Sequence, residues 1–142
     1  MSLEELRLDD AETFAALTQR GIEVLVMATV PEHRYAIPKC LVRKGVEWCS
    51  IGREEAERHR SSALAELKAV VRDAPGTRLW DPFIALCGED HCLAERDGLI
   101  LYRDDDHLTY SGSLWLAPHL EEIATWLARA DDTGSACLGS AC

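Results

Sequence analysis

The residue types that could do chemistry are concentrated in "RDDDHLT", Arg103 to Thr109. Asp104 stands three residues before His107, a spacing at which a loop can lay a carboxylate against one imidazole nitrogen. The carboxylate would fix the tautomer and stabilise the imidazolium, leaving the other nitrogen to take a proton from a hydroxyl nucleophile. Asp105 and Asp106 read as solvated, though either could back up Asp104. Thr109 reads as the cap of a closing helix. His107 then lies just before a helix N-terminus, where a positive ring is disfavoured unless a carboxylate offsets it. The bland reading is a solvated acidic turn. An EF-hand calcium loop does not fit, because the alternating ligands and the distal glutamate are absent.

The six cysteines fall in three close pairs: Cys40 and Cys49, Cys87 and Cys92, Cys137 and Cys142. Short-range pairing in polar loops reads as local disulfides formed in an oxidising compartment. "CGEDHC" also offers Cys87, His91 and Cys92 to zinc, but zinc sites use tighter spacers and a second matching pair. No metal or cofactor is expected. His33, His59, His91 and His119 are scattered, and His59 and His119 read as surface residues. Asp81 reads as a helix cap and Arg103 as solvent-facing. Trp48, Trp80, Trp115 and Trp126 read as core or interface residues rather than a sugar platform, with Trp115 left open by its nearness to His107.

The elements that must position these residues alternate between helix and strand. "DDAETFAALTQRG" predicts a helix capped by Asp10 and stopped at Gly21. "IEVLVMATVP" predicts a buried strand covered on both faces. Glu32 to Gly52 reads as a long loop broken by Pro38 and stapled by Cys40 and Cys49. "REEAERHRSSALAELKAVVRDAPG" is the longest helix signal, with Ala63, Leu64, Leu67, Val70 and Val71 as its apolar stripe. "TRLW" reads as a strand, "FIAL" as a helical turn and "GLILY" as another short strand. "GSLWLAPHLEEIATWLARA" predicts a closing helix that buries Leu114, Leu116, Leu120, Ile123, Trp126 and Leu127. This alternation predicts an α/β class with a mainly parallel sheet. Residues 1–130 read as the folded unit and 131–142, which repeats GSAC, as a disordered low-complexity tail.

Composition narrows the function. Of 142 residues, 47% are apolar, enough for one real core. The net charge is −10, from 15 basic and 25 acidic residues, which disfavours nucleic acid as a partner. No apolar run approaches the roughly 20 residues of a membrane span. The N-terminal "MSLEELRLDD" resembles neither a signal peptide nor a transit peptide.

One stretch carries a resemblance: "LWDPFIALCGEDHCLAERDGLILYRDDDHLTYSGSLWLAPHL". In order it shows Asp-Pro-Phe (Asp81 to Phe83), a Cys-x4-Cys loop, a glycine and a Leu-Tyr strand, Asp-Asp-x-His-Leu-Thr, a glycine and Leu-Ala-Pro. This order resembles the C-terminal part of the SGNH-type domain fused to membrane-embedded type-3 acyltransferases, bacterial enzymes that O-acylate cell-envelope glycans. "GIEVLVMATVPE" and the Cys40/Cys49 loop fit the same family, so the match runs roughly from Ala11 to Leu127. The resemblance implies a partial three-layer, flavodoxin-like fold lacking its first strand. It also implies a domain on the extracytoplasmic side, the periplasm or cell surface, of a parent anchored in the cytoplasmic membrane. Asp104 and His107 would be the last two members of a Ser-Asp-His triad, and a glycan the acceptor.

The family's nucleophilic serine lies in a Gly-Asp-Ser stretch after the first strand. None of Ser2, Ser50, Ser61, Ser62, Ser111, Ser113, Ser135 and Ser140 follows a Gly-Asp pair. The family's oxyanion glycine and asparagine blocks also precede the matching part. The expectation is a C-terminal portion (a truncated gene model, a gene fragment, or a piece whose N-terminal part is supplied separately), with the N-terminal SGNH segment and the parent's membrane acyltransferase domain as partners and an exposed sheet edge where the first strand belongs. Alone, the chain is expected not to turn over esters. The reading from another class is a non-catalytic, disulfide-stapled module that binds a glycan or a protein.

Overall fold

The computed structural model describes residues 3–121, 123 and 125, with side chains from residue 11 onward. Trp126, Leu127, the expected low-complexity tail and the Cys137/Cys142 pair lie outside them.

Helix α1 spans Leu3–Thr18, so it begins well before the expected Asp10 cap. Its end is as read. Gly21 takes a φ of 75°, which only glycine adopts without strain. The Gly21 N–H then reaches the Thr18 carbonyl at 2.9 Å, and the Ile22 N–H reaches Leu17 at 3.1 Å. This pair of bonds is a Schellman stop. Strand β1 (Val24–Met27) follows and pairs in parallel with β3 (Thr77–Trp80), Met27 opposite Trp80. The crossover between them includes the long helix α4 (Arg53–Asp73), against which α1 packs. The α/β class with a parallel sheet is therefore present. β1 is only half-buried, not covered on both faces, and Met27 is 53% exposed. Among the described residues it has one strand neighbour, β3.

The expected loop from Glu32 to Gly52 instead holds two helices, α2 (Ile37–Lys44) and α3 (Val46–Cys49). Pro38 does not interrupt α2. It occupies the first turn, where the missing N–H has no helical partner to lose. Ile37 and Cys40 are buried on one face of the helix. Two-residue strands β2 (Ile51–Gly52) and β4 (His91–Cys92) pair antiparallel. Between β3 and β4 lies the turn α5 (Phe83–Leu86). The "GLILY" strand is reduced to β6 (Leu99–Ile100), antiparallel to β5 (Glu95–Arg96). Helix α6 (Tyr110–Leu116) closes the fold and tightens into a 3-10 turn over Ala117–Leu120, where Pro118 stands.

Cys40 is bonded to Cys49 and Cys87 to Cys92. The four do not sit in polar loops, as the spacing had suggested; all are buried. Cys40 and Cys49 join Ile37, Trp80, Leu86, Leu101, Tyr102 and Leu116 in the main core. Cys87 and Cys92 join Ile51, Ala56 and Phe83 in a second. Each staple thus replaces side-chain packing in a domain with little apolar volume to spare. Two expected core residues are exposed instead, Leu114 and Ala63. Leu114 lies two positions from both Gly112 and Leu116, the residues α6 turns inward, so it points away from them.

Candidate active site

The Asp104–His107 turn is the tip of a hairpin whose base is the core. Leu101 and Tyr102 are 1% and 0% exposed. Above them Tyr102 bridges Leu108, and the Arg103 N–H donates to the His107 carbonyl at 2.9 Å. Thr109 closes the loop. Its N–H donates to the Leu101 carbonyl at 2.8 Å and its hydroxyl to the Ile100 carbonyl at 2.9 Å. The same hydroxyl oxygen accepts the Gly112 N–H at 2.8 Å, which is the N-cap bond expected of it. Gly112 lies so close to the Leu101 carbonyl that any Cβ would collide with it. Helix α6 is therefore pressed against the base of the turn.

Within the turn, Asp104 Oδ1 accepts the backbone N–H of Asp106 at 3.2 Å and of His107 at 2.7 Å. The same carboxylate stands 3.1 Å (Oδ2) and 3.2 Å (Oδ1) from His107 Nδ1. Burial raises the Asp104 pKa, but the two backbone N–H bonds, the bond to the His107 ring and its charge outweigh it. The net shift is downward. Asp106 is not merely solvated: its Oδ1 lies 2.7 Å from the same Nδ1. With two carboxylates at Nδ1, the neutral ring carries its proton there and Nε2 is the basic nitrogen. Asp105 contributes its backbone, its carbonyl accepting the His33 N–H at 2.8 Å. Arg103 is exposed, 3.6 Å from Asp104 Oδ2.

His107 lines a cavity of about 600 Å³. Met27, Ala28 and Val30 wall it at the C-terminal end of β1, where open parallel sheets place their ligands. Ala56, His59, Arg60 and Ala63 form one face of α4 along it, which is why Ala63 is not packed into the core. Arg60 donates to both oxygens of Asp81, at 2.6 and 2.8 Å, and lies 3.2 Å over the Phe83 ring. Asp81 Oδ1 also accepts the Phe83 N–H at 3.1 Å, so the expected cap role is present. Ser113 lines the cavity too, but its hydroxyl donates to the Thr109 carbonyl. Among the described residues no hydroxyl is hydrogen-bonded to His107. Asp104, Asp106 and His107 also bring one possible ligand atom each within 4.8 Å of one another, in a cluster whose Asp106 and His107 are exposed.

A family model, the SGNH domain that is fused to AT3 domains, matches residues 4–122. The chain belongs to that SGNH family. No curated protein and no solved structure matches it. The SGNH domain's family ties it to an AT3 membrane acyltransferase as a partner domain. Among its described residues, no helix of this SGNH domain is long and apolar enough to cross a membrane.

Sequence reasoning missed two things. His33 is 3% exposed, its ring edge-on to Tyr102 with centroids 4.5 Å apart. The other is that Trp48 is 51% exposed, which removes the core half of its core-or-interface reading. Trp80 is buried and Trp115 half-buried, in line with the core reading. His59, His91 and His119 are exposed.

Proposed function

We propose that this SGNH domain supplies the general base of an extracytoplasmic acyl transfer, acetyl groups passing through an acyl-serine onto a cell-envelope polysaccharide. The observation that carries the reading is the His107 ring, held by Asp104 at Nδ1 with Nε2 left without a protein partner among the described residues. In this reading Asp104 orients the ring and stabilises its charge. His107 first takes the proton of the serine hydroxyl as that oxygen attacks the acyl carbon, then returns it to the leaving group. The reverse sequence delivers the acyl group to a sugar hydroxyl. The serine this reading requires is that of the family's Gly-Asp-Ser stretch; among the described residues no hydroxyl is hydrogen-bonded to His107. The two buried disulfides and the family's fusion to AT3 domains support placement outside the cytoplasm.

The test is acetyl transfer in membranes that carry the AT3 acyltransferase together with this chain. His107→Ala should lower transfer by about hundredfold or more, the range of a lost general base. Unchanged transfer would remove the reading. A second reading, a non-catalytic module that binds a glycan or a protein, is favoured by the same lack of a hydroxyl partner for His107 and predicts that unchanged rate.

A further inference from the structure

Two large aromatic side chains stack in solvent. Tyr35 and Trp48 have ring centroids 4.9 Å apart at 23°, and they are 46% and 51% exposed. The scaffold beneath them is rigid. Tyr35 lies between two backbone anchors, the His33 N–H to the Asp105 carbonyl at 2.8 Å and the Ile37 N–H to the Asp104 carbonyl at 3.0 Å. Trp48 immediately precedes Cys49, which is bonded to Cys40. Stacked on each other, the rings present outward faces rather than one continuous plane, and a fixed, wet aromatic face is a poor core element and a good ligand surface.

Charge supplies the second observation. Helix α2 joins the two rings in sequence and carries Lys39, Arg43 and Lys44, all exposed. The Lys44 ammonium lies 5.3 Å from the Trp48 ring centroid. Among the described residues none of these three is ion-paired, whereas Arg34, Arg53, Arg58, Arg60 and Arg72 each stand within 4 Å of a carboxylate. Glu47 is the one acidic residue from Ile37 to Cys49. In a chain of net charge −10, three cations on the helix between the rings, one of them over the Trp48 ring, leave an anion unmet.

We infer that Tyr35 and Trp48 form a stacking platform for a carboxylate-bearing sugar, a uronate residue of the acceptor polysaccharide. The C–H face of the pyranose lies on an outward face of the stack, and Arg43 and Lys44 take the carboxylate. A singly charged carboxylate suits the site better than a phosphate, because the rest of the protein repels a dianion more strongly. The backbone anchors on either side of Tyr35 are the carbonyls of Asp104 and Asp105, so a sugar held here sits on the segment tied to the His107 turn. Calling that sugar the acceptor rests on the acyl-transfer reading; the binding itself does not.

The test is calorimetric titration of the full chain with trigalacturonic acid and, in parallel, its uncharged methyl ester. Saturable millimolar binding of the acid is expected. It should weaken by about tenfold or more in Trp48→Ala, in Arg43→Gln combined with Lys44→Gln, and for the ester, while His107→Ala binds as the unaltered chain does. Thermal melts check that each variant is folded; if Trp48→Ala is not, the charge variant decides. The platform is overturned by absence of saturable binding, by equal affinity for the ester, or by affinity insensitive to both variants. Sedimentation showing a dimer that Trp48→Ala abolishes would also overturn it, assigning the rings to a second copy. Binding that persists while His107→Ala leaves transfer unchanged would overturn acyl transfer and keep the platform. Loss of transfer in His107→Ala without trigalacturonate binding would do the reverse.

Discussion

Asp104 holds His107 twice, through the backbone N–H at 2.7 Å and through ring Nδ1 at 3.1 Å. One carboxylate therefore sets both the shape of the turn and the tautomer of the base. Asn at this position could still accept the backbone N–H, but it carries no charge to stabilise the imidazolium. Asp104→Asn is expected to keep the fold and to lower acetyl transfer in the membrane assay by about 10²–10⁴. Asp106→Asn, whose carboxylate is exposed and among the described residues accepts no backbone N–H of the turn, should cost less. Equal losses in the two variants would show that neither carboxylate is the orienter.

His33 makes stability depend on pH. Burial lowers its pKa from 6.5 to about 4, against smaller upward effects of the Cys49 carbonyl and Asp105. Neither ring nitrogen has a hydrogen bond of normal geometry. The unfolded chain binds the proton at higher pH than the fold does, so this contribution is fully present above pH 6.5. It is lost as pH falls through the window down to about 4. The whole difference amounts to about 3 kcal/mol. Urea melts at several pH values across that window should show the slope, and His33→Leu should flatten it.

Gly112 fixes how closely α6 approaches the turn. A Cβ there would run into the Leu101 carbonyl, and backbone, unlike a side-chain tip, has little room to yield. Gly112→Ala should destabilise the chain by about 1–3 kcal/mol in denaturant melts. Because Gly112 also donates to Thr109, the substitution should lower transfer as well.

Arg60 and Asp81 form a two-bond ion pair beside the cavity, with side chains 11% and 26% exposed. Burial raises the Asp81 pKa, but Arg60 and the Phe83 N–H outweigh it and hold the carboxyl low. Its stabilising contribution is present above pH 3.8 and lost as pH falls below it. Arg60→Met should cost about 2 kcal/mol at neutral pH, since a partly buried carboxylate loses its partner. Arg60→Met combined with Asp81→Asn should recover part of that loss.

Cys40→Ser with Cys49→Ser opens a short loop in the main core. The expected loss is about 2–3 kcal/mol on the chain-entropy account, read by thermal or denaturant melts under non-reducing conditions. No change in stability would mean that the packing around α2 and α3 stands without the staple.

Several features were legible without a fold. The Asp104–His107 spacing, the Thr109 cap, the Gly21 stop, the α/β alternation and both described cysteine pairings are local, and local chemistry is written in neighbouring residues. The reading failed where the outcome depended on partners distant in sequence. Pro38 looked like a break because its position relative to a helix start was unknown. Ala63 matched an apolar stripe, but that face of α4 meets a cavity at the end of β1. Trp48 read as a core or interface residue on its type alone, and only the tertiary arrangement of α2 and α3 beside the Cys40–Cys49 bond put it in solvent rather than the core. Asp106 gave no signal that would separate it from Asp105; the turn closed by Arg103 and His107 decided which carboxylate met Nδ1.

The sequence by itself determined the chemical inventory: an acid–base turn, cysteines able to pair locally, and no serine in a Gly-Asp context. Tertiary structure decided which of these meet. Burial of Leu101 and Tyr102 raises the turn on a rigid base, and the Gly112–Leu101 contact holds α6 against it. The C-terminal end of β1 and one face of α4 make the cavity that His107 lines. Each depends on side chains many residues apart competing for the same small core, and no local pattern records the result of that competition.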